Sequence, residues 1–69
     1  MNADQVKRAR GQAPFRPFIL FLSDQRRFEI RHPDFLWVVP GDRVVAVADE
    51  KGVVELIDLL HVTSLHTDG

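Results

Sequence analysis

Three histidines, two serines and a His32–Asp34 pair separated by one proline are the residues of this chain with catalytic or metal-binding chemistry. His61 and His66 stand five apart, on opposite faces of a straight strand and off the i, i+4 spacing of helical metal ligands. His32 would have to join them from elsewhere in the fold, and no cysteine is present to supply a thiolate. Ser23 and Ser64 lack the strand–turn–helix elbow that exposes a nucleophile. Asp34 could orient the His32 imidazole, although Pro33 between them is accounted for as a strand stop. The four glycines are scattered at turns, so no phosphate-cradling loop exists. A chain of 69 residues also has little room for a closed pocket. The expectation is a non-enzymatic protein with no metal, no cofactor and no small-molecule substrate.

Cations offer a different chemistry. Residues 1–31 hold seven bases and three acids, a balance of +4; residues 32–69 hold two bases and seven acids, a balance of −5, and the two sum to the net −1. Arg26, Arg27 and Arg31, with Arg16 and the basic residues Lys7, Arg8 and Arg10, could neutralise phosphates if the fold gathers them. Single-stranded RNA also stacks on exposed aromatics, and Phe21, Phe35 and Trp37 are the candidates. The bland alternative makes Arg27–Glu29–Arg31 a cross-strand charge ladder and Phe35 and Trp37 part of the core.

The elements that would position these residues can be read from pattern. Asn2 and Gln5 have capping-box spacing and Gly11 sits at a helix stop, which predicts a helix over residues 1–11. Its apolar stripe is thin, so it needs something to lie on. Pro14 and Pro17 then impose an extended entry. Phe18, Leu20 and Leu22 would face one side of a first strand, with Ile19 and Phe21 on the other. A strand apolar on both faces needs a cover on its second face: the N-terminal helix or another chain. Ser23 and Asp24 begin a turn, and the following strand alternates, with Arg27, Glu29 and Arg31 opposite Phe28, Ile30 and His32. Pro33 ends it in a tight turn or a single helical turn. Residues 35–39 form a third strand, Pro40-Gly41-Asp42 a turn, residues 43–48 a fourth strand and residues 53–57 a fifth. "DLLH" is one turn of 3₁₀ helix before "VTSLH" closes the chain.

A helix followed by five or six short strands in one domain, residues 1–69 with strands over 14–66, points to an all-β fold. A small bent five-stranded barrel is expected over a sandwich, because closure removes exposed edges in a chain this short. The stretch "FILFLSDQRRFEIRHPDFLWVV" resembles the first motif of Sm-like (Hfq-type) small β-barrels, related to SH3-like barrels, in its apolar strand, polar turn, second strand and acid at Asp34. "LLHVTSL" resembles the final strand of the Hfq family, which would place His61 near a pore lining. The chain departs from that pattern at Gln25, where a glycine is usual, in lacking an asparagine after Asp34, and in lacking an Arg-Gly pair. Nearly the full length also resembles small uncharacterised bacterial proteins carrying "PFRPF", "RHP" and "IDLL.VTSL".

The resemblance implies an oligomeric barrel that binds RNA through Arg26, Arg27, Arg31 and His61. The physical motive for self-association is independent of it. A small domain without disulfides gains from a partner, and edge pairing would bury Ile19 and Phe21, or Val45 and Val47 of the fourth strand. The alternative is a protein-interaction or structural adaptor that binds no nucleic acid. No apolar run approaches the ~18 residues of a membrane span and the first residues are polar, so a cytoplasmic location without membrane contact is expected.

Overall fold

The computed structural model describes residues 1–67. Helix α1, Ala3–Arg10, begins at the predicted capping box: the Asn2 side chain accepts from the Gln5 N–H at 3.1 Å and Gln5 Oε1 accepts from the Asn2 N–H at 3.3 Å. It ends at Gly11, whose N–H donates to the Lys7 carbonyl at 2.9 Å. Six strands follow: β1 (Phe18–Leu22), β2 (Arg27–Ile30), β3 (Leu36–Val38), β4 (Val44–Ala48), β5 (Val54–Asp58) and β6 (Val62–Thr67).

The strands form two antiparallel three-stranded sheets, β2-β1-β6 and β3-β4-β5. The expected closed five-stranded barrel does not form: six strands are split between two separate sheets, and among the described residues no ladder joins the sheets into a barrel. The physical cause lies at two corners. Between β2 and β3, residues Pro33–Phe35 make a 3₁₀ turn; Pro33 has no N–H for a ladder, and His32 Nδ1 accepts the Asp34 N–H at 3.2 Å. Between β5 and β6, Leu59–His61 make a second 3₁₀ turn, capped by Asp58 Oδ1 accepting from the Leu60 N–H at 2.9 Å. Each corner turns the chain from one sheet to the other and breaks strand continuity there.

One core is shared by the sheets. Phe18, Leu20, Leu22 and Ile30 from the first are buried with Leu36, Val45, Val47 and Ile57 from the second, and Leu59 and Val62 close the corner. Ala3, Val6 and Ala9 of α1 enter the same cluster. This is the surface that the thin stripe required, since a helix of two turns has little stability alone. The helix is held at both ends by the corners. The Met1 amino group donates to the carbonyls of Leu59 and Val62 at 3.2 and 3.3 Å, and Arg10 Nε donates to those of Pro33 and Leu36 at 3.0 and 2.6 Å.

The helix sets its apolar stripe into the shared core and packs against β3, while Ile19 and Phe21 stay half-buried on the other face of β1. Their half-burial comes from their own sheet. Ile19 lies between Glu29 and His66, and Phe21 between Arg27 and Ser64, with the His66 ring edge-on to Phe21 at 5.0 Å.

Candidate interaction surface

The outward face of β3-β4-β5 is built from strands with apolar residues on both sides, interrupted on β5 by Glu55 on the inward side and Asp58 on the outward side. Inward, Leu36 pairs with Val47 and Val38 with Val45, and Val45 continues to Ile57. Outward, Trp37 pairs with Ala46, and Ala46 with Leu56, so these three residues form one row across the sheet. The next row continues through Ala48 and Val54. Trp37 is 59% exposed and Leu56 71% exposed. Between them in the row lies the small, half-buried Ala46. Val53, Val54 and Leu60 are exposed beside this row. Contiguous exposed apolar side chains of this kind mark contact surfaces more often than scattered single ones do.

The anticipated oligomer residues are placed differently. Val45 and Val47 lie in the core, 0% and 5% exposed, because the alternation of β4 directs them inward. A partner on this sheet would meet Val44, Ala46 and Ala48 instead. Sequence reasoning read two-faced apolarity in Phe18–Leu22 but did not apply it to "VVELI", where the same signal was present.

The arginines are brought to one side of the molecule but are largely occupied. Arg26 Nε donates to Asp24 Oδ2 at 2.7 Å and Arg26 Nη1 to Glu55 Oε2 at 3.0 Å, while the guanidinium lies 5.6 Å from the centre of the Phe28 ring. The hydrogen bond from the Arg26 N–H, followed by that from its guanidinium, holds the Asp24 carboxyl below the ordinary value; the same carboxylate raises the Arg26 pKa. Arg31 donates to Glu29 Oε2 at 3.0 Å and lies 3.7 Å from Glu50 Oε1, and the hydrogen bond to Glu29 raises its pKa. Arg26–Glu55 and Arg31–Glu50 both run from the β1–β2 hairpin to the β4-β5 hairpin, so they tie the two sheets together. Arg27 is exposed and forms no ion pair among the described residues.

The other polar candidates are dispersed. His61 is exposed in the second corner, His66 packs on Phe21, and His32 caps the first corner with its ring near Phe15 and Phe35. His32 Nδ1 does lie 3.5 Å from Asp34 Oδ2, but both side chains are open to solvent. Among the described residues no three His, Asp or Glu side chains converge as a metal-binding group would. A cleft of about 320 Å3 lined by Glu29, Arg31, Phe35, Ala48, Asp49, Glu50 and Lys51 contains the Arg31 ion pairs. Among the described residues, no helix is long and apolar enough to cross a membrane.

Comparison of the chain with protein-family models, with curated proteins and with solved structures returned no match.

Proposed function

We propose that this chain is a non-enzymatic protein-interaction module that docks through the outward face of β3-β4-β5. The observation that carries the reading is the row Trp37–Ala46–Leu56, in which two large apolar side chains stand open on a rigid sheet. Covering an exposed residue of this size contributes roughly 1.5–3 kcal/mol before association costs, so a few of them suffice for a specific contact. Tryptophan in particular supplies a large contact area with few rotatable bonds, which is why it is enriched in interface hot spots.

RNA binding is the second reading, favoured by the exposure of Arg26, Arg27 and Arg31 on one hairpin. It is the weaker one on electrostatic grounds. Each phosphate reached by Arg26 or Arg31 would displace a carboxylate already bonded to it, so the gain is an exchange of partners rather than a new contact.

The test places a photo-crosslinking residue at position 56 in one variant and at position 27 in another, in the producing cell. The expected result is a discrete protein adduct from position 56. An RNA adduct from position 27 with nothing from position 56 would overturn the reading in favour of RNA, and silence at both positions would overturn it outright.

A further inference from the structure

Four strand edges are open in the two sheets: β2, β6, β3 and β5. Three are blunted in the usual ways. β2 carries Arg27 and Glu29, β6 carries Thr63, Ser64, His66 and Thr67, and α1 packs against β3. The β5 edge also carries two carboxylates, Glu55 and Asp58, and differs from the others in its exposed apolar side chains. Of the five large apolar side chains left exposed among the described residues, four lie along it: Val53, Val54, Leu56 and Leu60.

Backbone geometry shows which groups this edge offers. The Asp49 N–H donates to Val53 O and the Leu59 N–H to Arg43 O, at 3.0 and 2.8 Å, and these bonds frame the β4–β5 ladder. By the alternation of an antiparallel pair, Glu55 and Ile57 exchange their bonds with Val47 and Val45. Val54, Leu56 and Asp58 therefore turn their N–H and C=O groups away from β4, toward the open side. Their side chains all stand on the outward face that carries Trp37.

We infer that the occupant of this edge is the β5 strand of a second copy, paired antiparallel about a two-fold axis at Leu56. The inference rests on the proposed use of this sheet for protein contact and names the partner. Strand length and charge select the register. Centring the axis on Val54 runs Leu56–Asp58 against residues 52 to 50 of the second copy, which form the hairpin loop and not the strand; centring it on Glu55 or Asp58 sets that carboxylate against itself. Like charges directly opposite are unfavourable. Centring it on Ile57 sets Val54 opposite Leu60, which lies in the 3₁₀ turn Leu59–His61 where the strand has ended.

Centring on Leu56 overlaps all five residues of the strand. Leu56 meets Leu56, Val54 meets Asp58 and Glu55 meets Ile57, with no carboxylate facing another. The two sheets become one of six strands. The outward row then reads Trp37–Ala46–Leu56 continued by Leu56–Ala46–Trp37 of the second copy, and Leu60 of each copy comes beside the Gly52–Val53 end of the other.

The test uses the natural lack of cysteine. In a hydrogen-bonded pair the Cα atoms are about 5.5 Å apart, within the ~4.4–6.8 Å range of a disulfide. Leu56→Cys is expected to cross-link to itself under mild oxidation. Val54→Cys, roughly 15 Å from its symmetry mate (four residues at about 3.4 Å, plus the spacing between strands), is expected to do so at least tenfold more slowly. Light scattering is expected to give twice the 7.9 kDa chain mass, falling to the single-chain mass in Leu56→Lys with an unchanged circular dichroism spectrum. Equal cross-linking at both positions overturns the register. A wild-type monomer up to millimolar concentration overturns the dimer, and if position 56 still photo-cross-links to a different protein, the interaction-module reading survives that result.

Discussion

Arg10 Nε donates to the carbonyl oxygen of Leu36 at 2.6 Å, and the same nitrogen reaches the Pro33 carbonyl at 3.0 Å. One side chain at the last turn of α1 thus brackets the corner that turns the chain from β2 into β3. With the Met1 amino group on Leu59 and Val62 at the other corner, α1 works as a strap across the two places where the chain changes sheets.

Removing that strap has a measurable consequence. Arg10→Ala leaves two partly buried carbonyls without a charged donor, and hydrogen bonds to charged groups are worth about 1.5–3 kcal/mol. The expected outcome is a loss of that order in urea unfolding, with Arg10→Lys restoring only part of it because an ammonium lacks the planar donor geometry. A loss below ~0.5 kcal/mol would show that the helix docks by its apolar face alone.

The β1–β2 and β4–β5 hairpins share one loop design. Each has a three-residue loop closed by paired backbone bonds, Leu22 to Arg26 and Asp49 to Val53, and each places the last loop residue at positive φ: Gln25 at 71° and Gly52 at 83°. Glycine occupies this left-handed position freely, whereas a side chain costs about 1–2 kcal/mol there. Gln25→Gly is therefore expected to be neutral or stabilising by up to ~1 kcal/mol after the entropy of the unfolded glycine is counted. Gly52→Ala is expected to destabilise by about 1 kcal/mol. Thermal midpoints of the two variants, moving in opposite directions or one alone downward, check the pair.

Acid sensitivity is expected at the β1–β2 turn. The Asp24 carboxyl is lowered from the ordinary 3.8 by the Arg26 N–H and then by its guanidinium. The unfolded chain thus binds a proton at Asp24 before the folded one does. The stabilisation is complete above the unfolded value and declines as pH falls through the lower folded value. Asp24→Asn is expected to flatten the acid limb of the stability curve below about pH 4, measured as the urea midpoint against pH. An unchanged limb would mean that other carboxylates govern it.

Core and surface leucines should separate cleanly. Leu20 is fully buried and Leu56 is 71% exposed. Leu20→Ala is expected to cost about 2–5 kcal/mol through the cavity it leaves. Leu56→Ser, measured at concentrations too low for association, is expected to stay within ~0.5 kcal/mol of the parent. A large loss in the second variant would place Leu56 in the fold's own packing rather than at a contact surface.

Much of this was legible before any coordinates. The capping box at Asn2 and Gln5, the stop at Gly11, the grouping of Phe18, Leu20 and Leu22 on one face of β1, the corner at Pro33 and the 3₁₀ turn near Leu59–His61 all follow from local rules of spacing, φ restriction and alternation. The candidate surface was legible only in part. Trp37 drew notice as an aromatic, but a period-2 pattern with apolar residues on both faces, as in "VVELI", does not say which face is inside.

Local chemistry in the sequence determined where each element starts and stops, because caps, prolines and turn residues act over three or four positions. The tertiary structure alone decided that the strands divide into two sheets without closing, that Val45 and Val47 are core while Leu56 is bare, and that Arg26 and Arg31 are spent on Glu55 and Glu50. Those outcomes depend on which distant strands pair, and every one of them involves residues too far apart in the chain for a local rule to connect.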